Sequence, residues 1–388
     1  MRHAPNTDAP LIRAASAGDV IAVEQLLQHG ADPDLHDAHG RSALHHAVAA
    51  GDAQTAACLL AYGASYARRD ASGGAALDPD RVSLDVLHAI RQRLHRFRRS
   101  DERPSASLPC AQRWARDLDQ RGIAKLAGCV APGELDLMRR EFARFVRALA
   151  GKIARSEGVK RHYFEEEHWW PEERALITNN AFKHSAQLVR FSSRPELLEA
   201  ARLYLGRPPF VQRALAMRYL AASASQRDMF AWHHDLEDKR LKVMILLSDV
   251  GPDDQHMSYV CGSQTLFHPY RMFLDNACDL AYCRQHLGTL EIYDAVGQAG
   301  DVFLFDTNGA HRAIRRETGR VRDAFLVEFN ASTANLWGGD IAASLLAELR
   351  LEHDPFARFV AAEKKWNLPS AQTSPSWASS LPHPHTWL

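Results

Sequence analysis

The chain has 388 residues, 46% hydrophobic and 24% charged, the balance of a soluble globular protein of two or three domains. Its formal net charge is zero, which argues against general affinity for nucleic-acid phosphates. No apolar run reaches bilayer length, and the opening "MRHAPNTDAP" lacks the apolar core of a secretory signal, so no membrane partner is expected.

The first hundred residues repeat themselves. "APLIRAASAGDVIAVEQLLQHGADPDLHDAHG" (9–40) is echoed by "SALHHAVAAGDAQTAACLLAYGASYARRDASG" (42–73). Gly18 recurs as Gly51, Gly30 as Gly63, Asp37 as Asp70, and Leu11 as Leu44 and then Leu77, always 33 residues apart. Ala14, Ala15, Val23, Leu26 and Leu27 form an apolar stripe with small members, so two short helices can pack closely. Gly30 and Gly63 suit left-handed caps after each second helix. The pattern resembles the ankyrin repeat. A third repeat opens at "SGGAALD" and then degenerates, and "SLDVLHAIRQRLHRF" (83–97) reads as a capping helix with one polar face. So few repeats cannot cover their own apolar faces, and the array is therefore expected to dock on the domain C-terminal to it. It also implies a protein partner. A hydroxylatable asparagine is absent from the repeats, since Asp34 and Ala67 hold the equivalent positions.

"RQRLHRFRRSDER" (91–103) reads as a solvated helix running into a linker rather than as a polyanion site. The polar tract "RRSDERPSASLP" (98–109) contains that linker. The division expected is 1–100 for the repeats with their cap, 101–110 for the linker, and 111–388 for a second domain. The cysteines at 58, 110, 129, 261, 278 and 283 include no C-x-x-C pair and read as reduced thiols of a cytoplasmic protein. Cys278, Cys283 and His286 fit no common zinc spacing and read as ordinary residues.

The second domain opens with helix, short strand and a long amphipathic helix from near Pro132. "RPELLEAARLYLG" adds another helix. Then come short apolar runs, "FVQRALAMRYLA", "LKVMILLSDV", "GDVFLFD" and "RDAFLVEFN", separated by turns, which predicts an antiparallel sandwich or barrel.

Among these runs lies "MFAWHHDLED" (229–238). In an extended segment residues two apart point the same way, so His233 and Asp235 can grip one cation while His234 faces the other side. "GDVFLFDTNGAHRA" supplies His311 just past a strand. Two histidines and a carboxylate make the facial set of non-haem Fe(II) oxygenases, with positions open for 2-oxoglutarate and O2. The far carboxylate of 2-oxoglutarate needs a cationic fork, and Arg322 lies eleven residues beyond His311, across a hairpin turning near "RETG".

The ordered set His233-x-Asp235, His311, Arg322 resembles the phytanoyl-CoA dioxygenase family of Fe(II)/2-oxoglutarate oxygenases. "LDQRGIAKLAGCVAPGELDLMRREF" is similar to that family's opening strand and helix, and "DDQHMSYVCGSQTLFH" (253–268) to its "G-x-L-x-x-x-P-G-S-H" segment, with Gln264 in place of the histidine. The resemblance covers roughly residues 111–340. It implies a multidomain chain: a short all-α ankyrin array, then a double-stranded β-helix (jelly-roll, cupin-like) domain with flanking helices. It also implies Fe(II) on His233, Asp235 and His311, with 2-oxoglutarate on Arg322 and Met217. Met217 taken alone reads as ordinary core. The family often has a serine where this chain has Ala313, and Arg320 competes with Arg322 as a residue on the same strand face. Related halogenases have a small residue at the position of Asp235, so hydroxylation is the expected outcome. Asp306 and Asn308 stand where they could line the site's mouth. "GVKRHYFEEEHWWPEERALITNNAFKHSAQ" (158–187) occupies the family's variable lid, and Tyr163, Trp169 and Asn179 within it, with Asn308, are the candidates to meet a small-molecule substrate. A non-catalytic interaction scaffold with a vestigial oxygenase domain is the alternative. A zinc hydrolase would leave Arg322 without a role.

Overall fold

The computed structural model describes residues 10–66, 68–97, 108–154, 167–170, 175–220, 232–235, 240–268, 278–314, 316, 320–331, 338–352 and 355–362. Two helix pairs open it: α1 (Pro10–Ser16) with α2 (Val20–Gln28), and α3 (Ala43–Ala49) with α4 (Ala53–Ala61). Each pair turns at a glycine with φ of +69°, Gly18 and Gly51, a backbone shape that side chains rarely adopt. The aspartate after each glycine caps the second helix. Asp19 accepts from the Ala22 amide, and Asp52 from the amides of Gln54 and Thr55. Ala15, Ala43, Ala47 and Ala56 are fully buried, which lets the helices approach closely. His45 ties one repeat to the next: its Nδ1 accepts from the Ser42 amide and its Nε2 donates to the Gly74 carbonyl.

The cap α5 (Leu84–Arg96) has two buried faces. Leu87, Ile90 and Leu94, at helical spacing, close the apolar core of the array. The sequence reads the neighbouring stretch as solvated. Instead His88, Arg91 and His95 form a second strip that is 9%, 2% and 6% exposed, because the second unit covers it. The array does dock. Phe267 of the second unit completes the array's core, the Phe267 amide and the Tyr282 hydroxyl bond to the two His88 ring nitrogens, and Arg207 donates to the Ala61 carbonyl at 2.7 Å.

The second unit begins with α6 (Pro109–Arg121), β1 (Ile123–Leu126) and α7 (Pro132–Ala154). β2 (Glu167–Trp170), β3 (Ala175–Thr178), α8 (Ala186–Ser192) and α9 (Pro195–Leu205) lead to β4 (Phe210–Tyr219). Then come β5 (Arg240–Leu246), β6 (Met257–Val260), α10 (Leu280–Leu287), β7 (Ile292–Asp294), β8 (Val302–Phe305), β9 (His311–Ala313) and β10 (Arg322–Asn330). The last elements are α11 (Ala343–Glu348) and α12 (Pro355–Ala361).

The strands form two antiparallel sheets, a large one in the order β1-β8-β5-β10-β4-β3-β2 and a small one in the order β7-β6-β9. His233 extends the small sheet through a bridge to His311. The alternation along β10 sorts its side chains between two cores. Phe325, Val327 and Phe329 pack with Phe142, Leu118 and Tyr204 of the helices. Ala324 and Leu326 join Leu215, Met217, Met244, Phe303 and Phe305 inside, with Met257 and Tyr259 of the small sheet. The two facing sheets are those of a double-stranded β-helix. Cys278 and Cys283 lie buried in a small apolar cluster with Trp232, Val260 and Ala310.

Candidate metal centre

His233 and His311 sit opposite each other on neighbouring extended segments. Each amide donates to the other's carbonyl, at 2.9 and 2.8 Å, and the ring centroids are 4.3 Å apart. Asp235, two residues on, is anchored by its amide to the Thr307 carbonyl at 2.8 Å. His233, Asp235 and His311 each offer a ligand atom, and these atoms lie within 4.8 Å of one another; among the described residues no other group of histidines, cysteines and carboxylates does so.

The electrostatics suit a cation. His311 Nδ1 faces the Gly309 carbonyl at 2.9 Å, and a carbonyl can only accept, so Nδ1 carries the proton and Nε2 keeps its lone pair. Burial, then the neighbouring His233, pushes the His311 imidazole down to about 3, so the ring is neutral at physiological pH. Burial alone would raise the Asp235 carboxyl, but the neighbouring charges, the Lys242 ammonium foremost, hold it well below the ordinary carboxylate value. Lys242 Nζ binds Oδ2 at 2.6 Å, which leaves Oδ1 on the side of His311, 3.9 Å from its Nε2. Lys242 also lies 3.4 Å from Glu328, which Arg213 grips at 2.6 Å with Arg240 at 4.0 Å. Burial works to raise Glu328, and these cations, Arg213 foremost, bring it below its usual value. This buried ionic cluster escapes the sequence reading. Its signals are charged residues at inward positions of largely apolar strands: Arg213 in β4, Arg240 and Lys242 in β5, and Glu328 in β10.

The turn 306–310 delivers the parts. Asp306 is fully buried, accepts from the Tyr204 hydroxyl at 2.5 Å, and accepts from the amide and side chain of Asn308. Tyr259 donates to the Asp306 carbonyl at 2.8 Å, and Ser263 Oγ accepts from the Ala310 amide at 2.7 Å. Gly309 is required by space: a Cβ there would lie 1.9 Å from the Tyr259 oxygen. Asp306 and Asn308 thus brace the turn, and the "GSQ" stretch does the same from the small sheet.

Arg322 opens β10, is 5% exposed, and stacks 4.6 Å above the Tyr219 ring on the inner face that also carries Met217. Arg320 lies before the strand starts. Its side chain is 61% exposed and holds Asp254 through Nε and Nη2 at 3.1 and 2.9 Å. The two arginines therefore do not share a strand face. Most of the "RETG" turn lies outside the described residues. Asn179 is fully buried just after β3. Trp169 is in edge strand β2, opposite Leu176, but its side chain, like Tyr163 as a whole, lies outside the described residues.

A facial set of this kind, inside a double-stranded β-helix and behind a helical array, agrees with the families that the chain matches. Residues 2–70 match ankyrin repeats, in a description of three copies, and residues 118–324 match phytanoyl-CoA dioxygenase (PhyH). The chain belongs to the phytanoyl-CoA dioxygenase family, with ankyrin repeats ahead of that domain. Comparison with curated proteins by sequence returns no match. Among solved structures, the non-heme alpha ketoglutarate dependent epimerase SnoN from nogalamycin biosynthesis is 17% identical, over 57% of this chain and 82% of that one, with a TM-score of 0.42. EctD from S. alaskensis with bound Fe is 18% identical, over 62% and 83%, with a TM-score of 0.44. HygX from Streptomyces hygroscopicus, with nickel, 2-oxoglutarate and hygromycin B bound, is 17% identical, over 60% and 93%, with a TM-score of 0.41.

Proposed function

We propose that this chain is an Fe(II)/2-oxoglutarate-dependent oxygenase that hydroxylates a small-molecule or carrier-bound substrate and releases succinate and CO2. The observation that carries this reading is the convergence of His233, Asp235 and His311, with ligand atoms within 4.8 Å of one another. Two histidines, His311 with its Nε2 lone pair free, and one ionised carboxylate fit Fe(II), and Lys242 on Oδ2 leaves Oδ1 as a single donor. When bound, iron and 2-oxoglutarate supply the oxidising chemistry, with the keto acid spent as O2 is reduced. The chain's own groups bind and orient. Gly309 fixes the tautomer of His311, Lys242 holds Asp235 ionised, and Arg322 offers a planar fork to the far carboxylate of the cosubstrate beside Met217. Asn179, Asn308, Tyr163 and Trp169 are the proposed substrate contacts. The repeats serve as a docking face for a protein partner, in a cytoplasmic chain divided at 101–110.

The test is succinate release from 2-oxoglutarate with Fe(II), with and without candidate substrates. Fe(II)-dependent release that Asp235→Ala abolishes supports the reading. No metal uptake and no succinate would leave the scaffold reading in its place.

A further inference from the structure

The turn that positions the metal site is held from outside the oxygenase unit. Asp306 has no exposed surface, and the cation paired with it among the described residues is Arg91, at 3.7 Å, on the ankyrin cap α5. The same guanidinium donates through Nε to the Gln264 carbonyl at 2.9 Å. Gln264 is the neighbour of Ser263, whose hydroxyl binds the Ala310 amide. Arg91 therefore grips both supports of the turn: the carboxylate at its start and the chain next to the serine at its end. Between those points the turn presents the Thr307 carbonyl to the Asp235 amide and the Gly309 carbonyl to the His311 ring.

We propose that Arg91 is a positioning residue for the metal centre, so that the ankyrin cap completes the support of the oxygenase site. Without Arg91 the buried Asp306 carboxylate keeps only its bonds from Tyr204 and Asn308, and its uncompensated charge favours a shift of the turn. The shift reaches the metal through two hydrogen bonds, one to a ligand's backbone and one to a ligand's ring. Losses of such outer partners lower metal affinity about 10–100-fold. The inference rests on the reading of His233, Asp235 and His311 as a metal site.

The experiment is titration of the full chain with Co(II), an O2-stable probe, read by calorimetry and by the visible ligand-field bands. Arg91→Gln keeps a donor for the Gln264 carbonyl but offers no charge to Asp306. Arg91→Lys keeps the charge without the fork. Arg207→Met removes the bond to Ala61 and so loosens the same interface at a point unconnected to Asp306. The expected result is Co(II) affinity about tenfold or more weaker in Arg91→Gln, with altered bands, partial recovery in Arg91→Lys, and unchanged affinity in Arg207→Met. Equal affinity and bands in wild type and Arg91→Gln overturn the proposal. So does an equal loss in Arg207→Met, which would make Arg91 ordinary interface glue. Should Arg91→Gln not fold, Arg91→Lys against wild type decides: weaker Co(II) binding with altered bands supports the proposal, and binding and bands equal to wild type overturn it. A wild-type chain that takes up no Co(II) would remove the metal-site reading itself, and this inference with it.

Discussion

In the large sheet, β10 is hydrogen-bonded along nearly its whole length, to β4 on one side and β5 on the other. In the small sheet the segments carrying His233 and His311 meet at a single bridge, and Asp235 lies beyond it. Arg322 and Glu328 thus inherit their positions from strand register. His233, Asp235 and His311, the proposed metal ligands, take theirs from a turn braced by side chains of β6, α9 and the array. That contrast sets where the molecule tolerates change. Changes near Arg322 should act locally, through one lost contact, whereas changes around the turn should move several ligands together.

The largest effect is expected at the small sheet itself. Asp235→Ala removes a proposed ligand and leaves Lys242 with Glu328 as its remaining acidic partner, so metal affinity should fall beyond the ~10–100-fold that loss of an outer partner costs. Metal stoichiometry after desalting checks this, and full occupancy would show that the carboxylate is no ligand. On the large sheet, Arg322→Ala should raise the apparent constant for 2-oxoglutarate about a hundredfold or more, from ~3–5 kcal/mol for a buried charge left alone at ~1.4 kcal/mol per decade. Metal binding should survive, and Arg322→Lys should recover part. Arg320→Ala removes a grip on Asp254 away from the proposed site and should change neither constant much. A cosubstrate defect confined to the Arg320 variant would reverse the assignment.

Gly309→Ala probes the turn directly by forcing it off Tyr259. Overpacking of this kind costs about 1–3 kcal/mol, and here metal affinity should drop with stability in one step. A variant that melts earlier yet binds metal as wild type would uncouple turn and site. The smallest effect is a pH dependence at the interface between units. Burial, then the neighbouring His286, lowers His88, and burial, then His234, holds His268 well below the ordinary imidazole value. A histidine lowered in the folded state contributes stability that is present above the unfolded value near 6.5 and lost as pH falls below it. Each unit of depression is worth about 1.4 kcal/mol once pH has passed through the window. Melting temperature should therefore fall between pH 7.5 and 5.5, less steeply in His88→Phe. Equal slopes in the two proteins would remove His88 from the account.

The repeat period, the helix from Pro132 and the span of β10 are readable because each depends on local pattern: glycine spacing, amphipathic periodicity, alternation. His233, Asp235 and His311 are readable as a set because metal ligands must be particular residue types in a particular order. Arg91 is not. Its partner carbonyl lies 173 residues away, and an arginine in a basic helix reads as solvated until the surface that buries it is known. Asp306 looks like a residue of the site's mouth for the same reason: polarity near a ligand is visible, but the tyrosines that bury it come from α9 and β6. Arg320 is misplaced by one strand boundary. Asp254 draws it outward, and β10 begins at the next arginine along.

Phe267 carries a consequence for how this chain can vary. Ankyrin arrays lengthen by stacking further copies on an open end. Here that end is covered, since Phe267 of the second unit packs into the array's core and the His88, Arg91 and His95 strip of the cap is buried. A copy inserted between α4 and α5 would keep the cap seated but carry Ala61 away from Arg207. Lineages of this architecture should therefore gain or lose repeats ahead of α1, and keep α4 and α5 as a fixed pair.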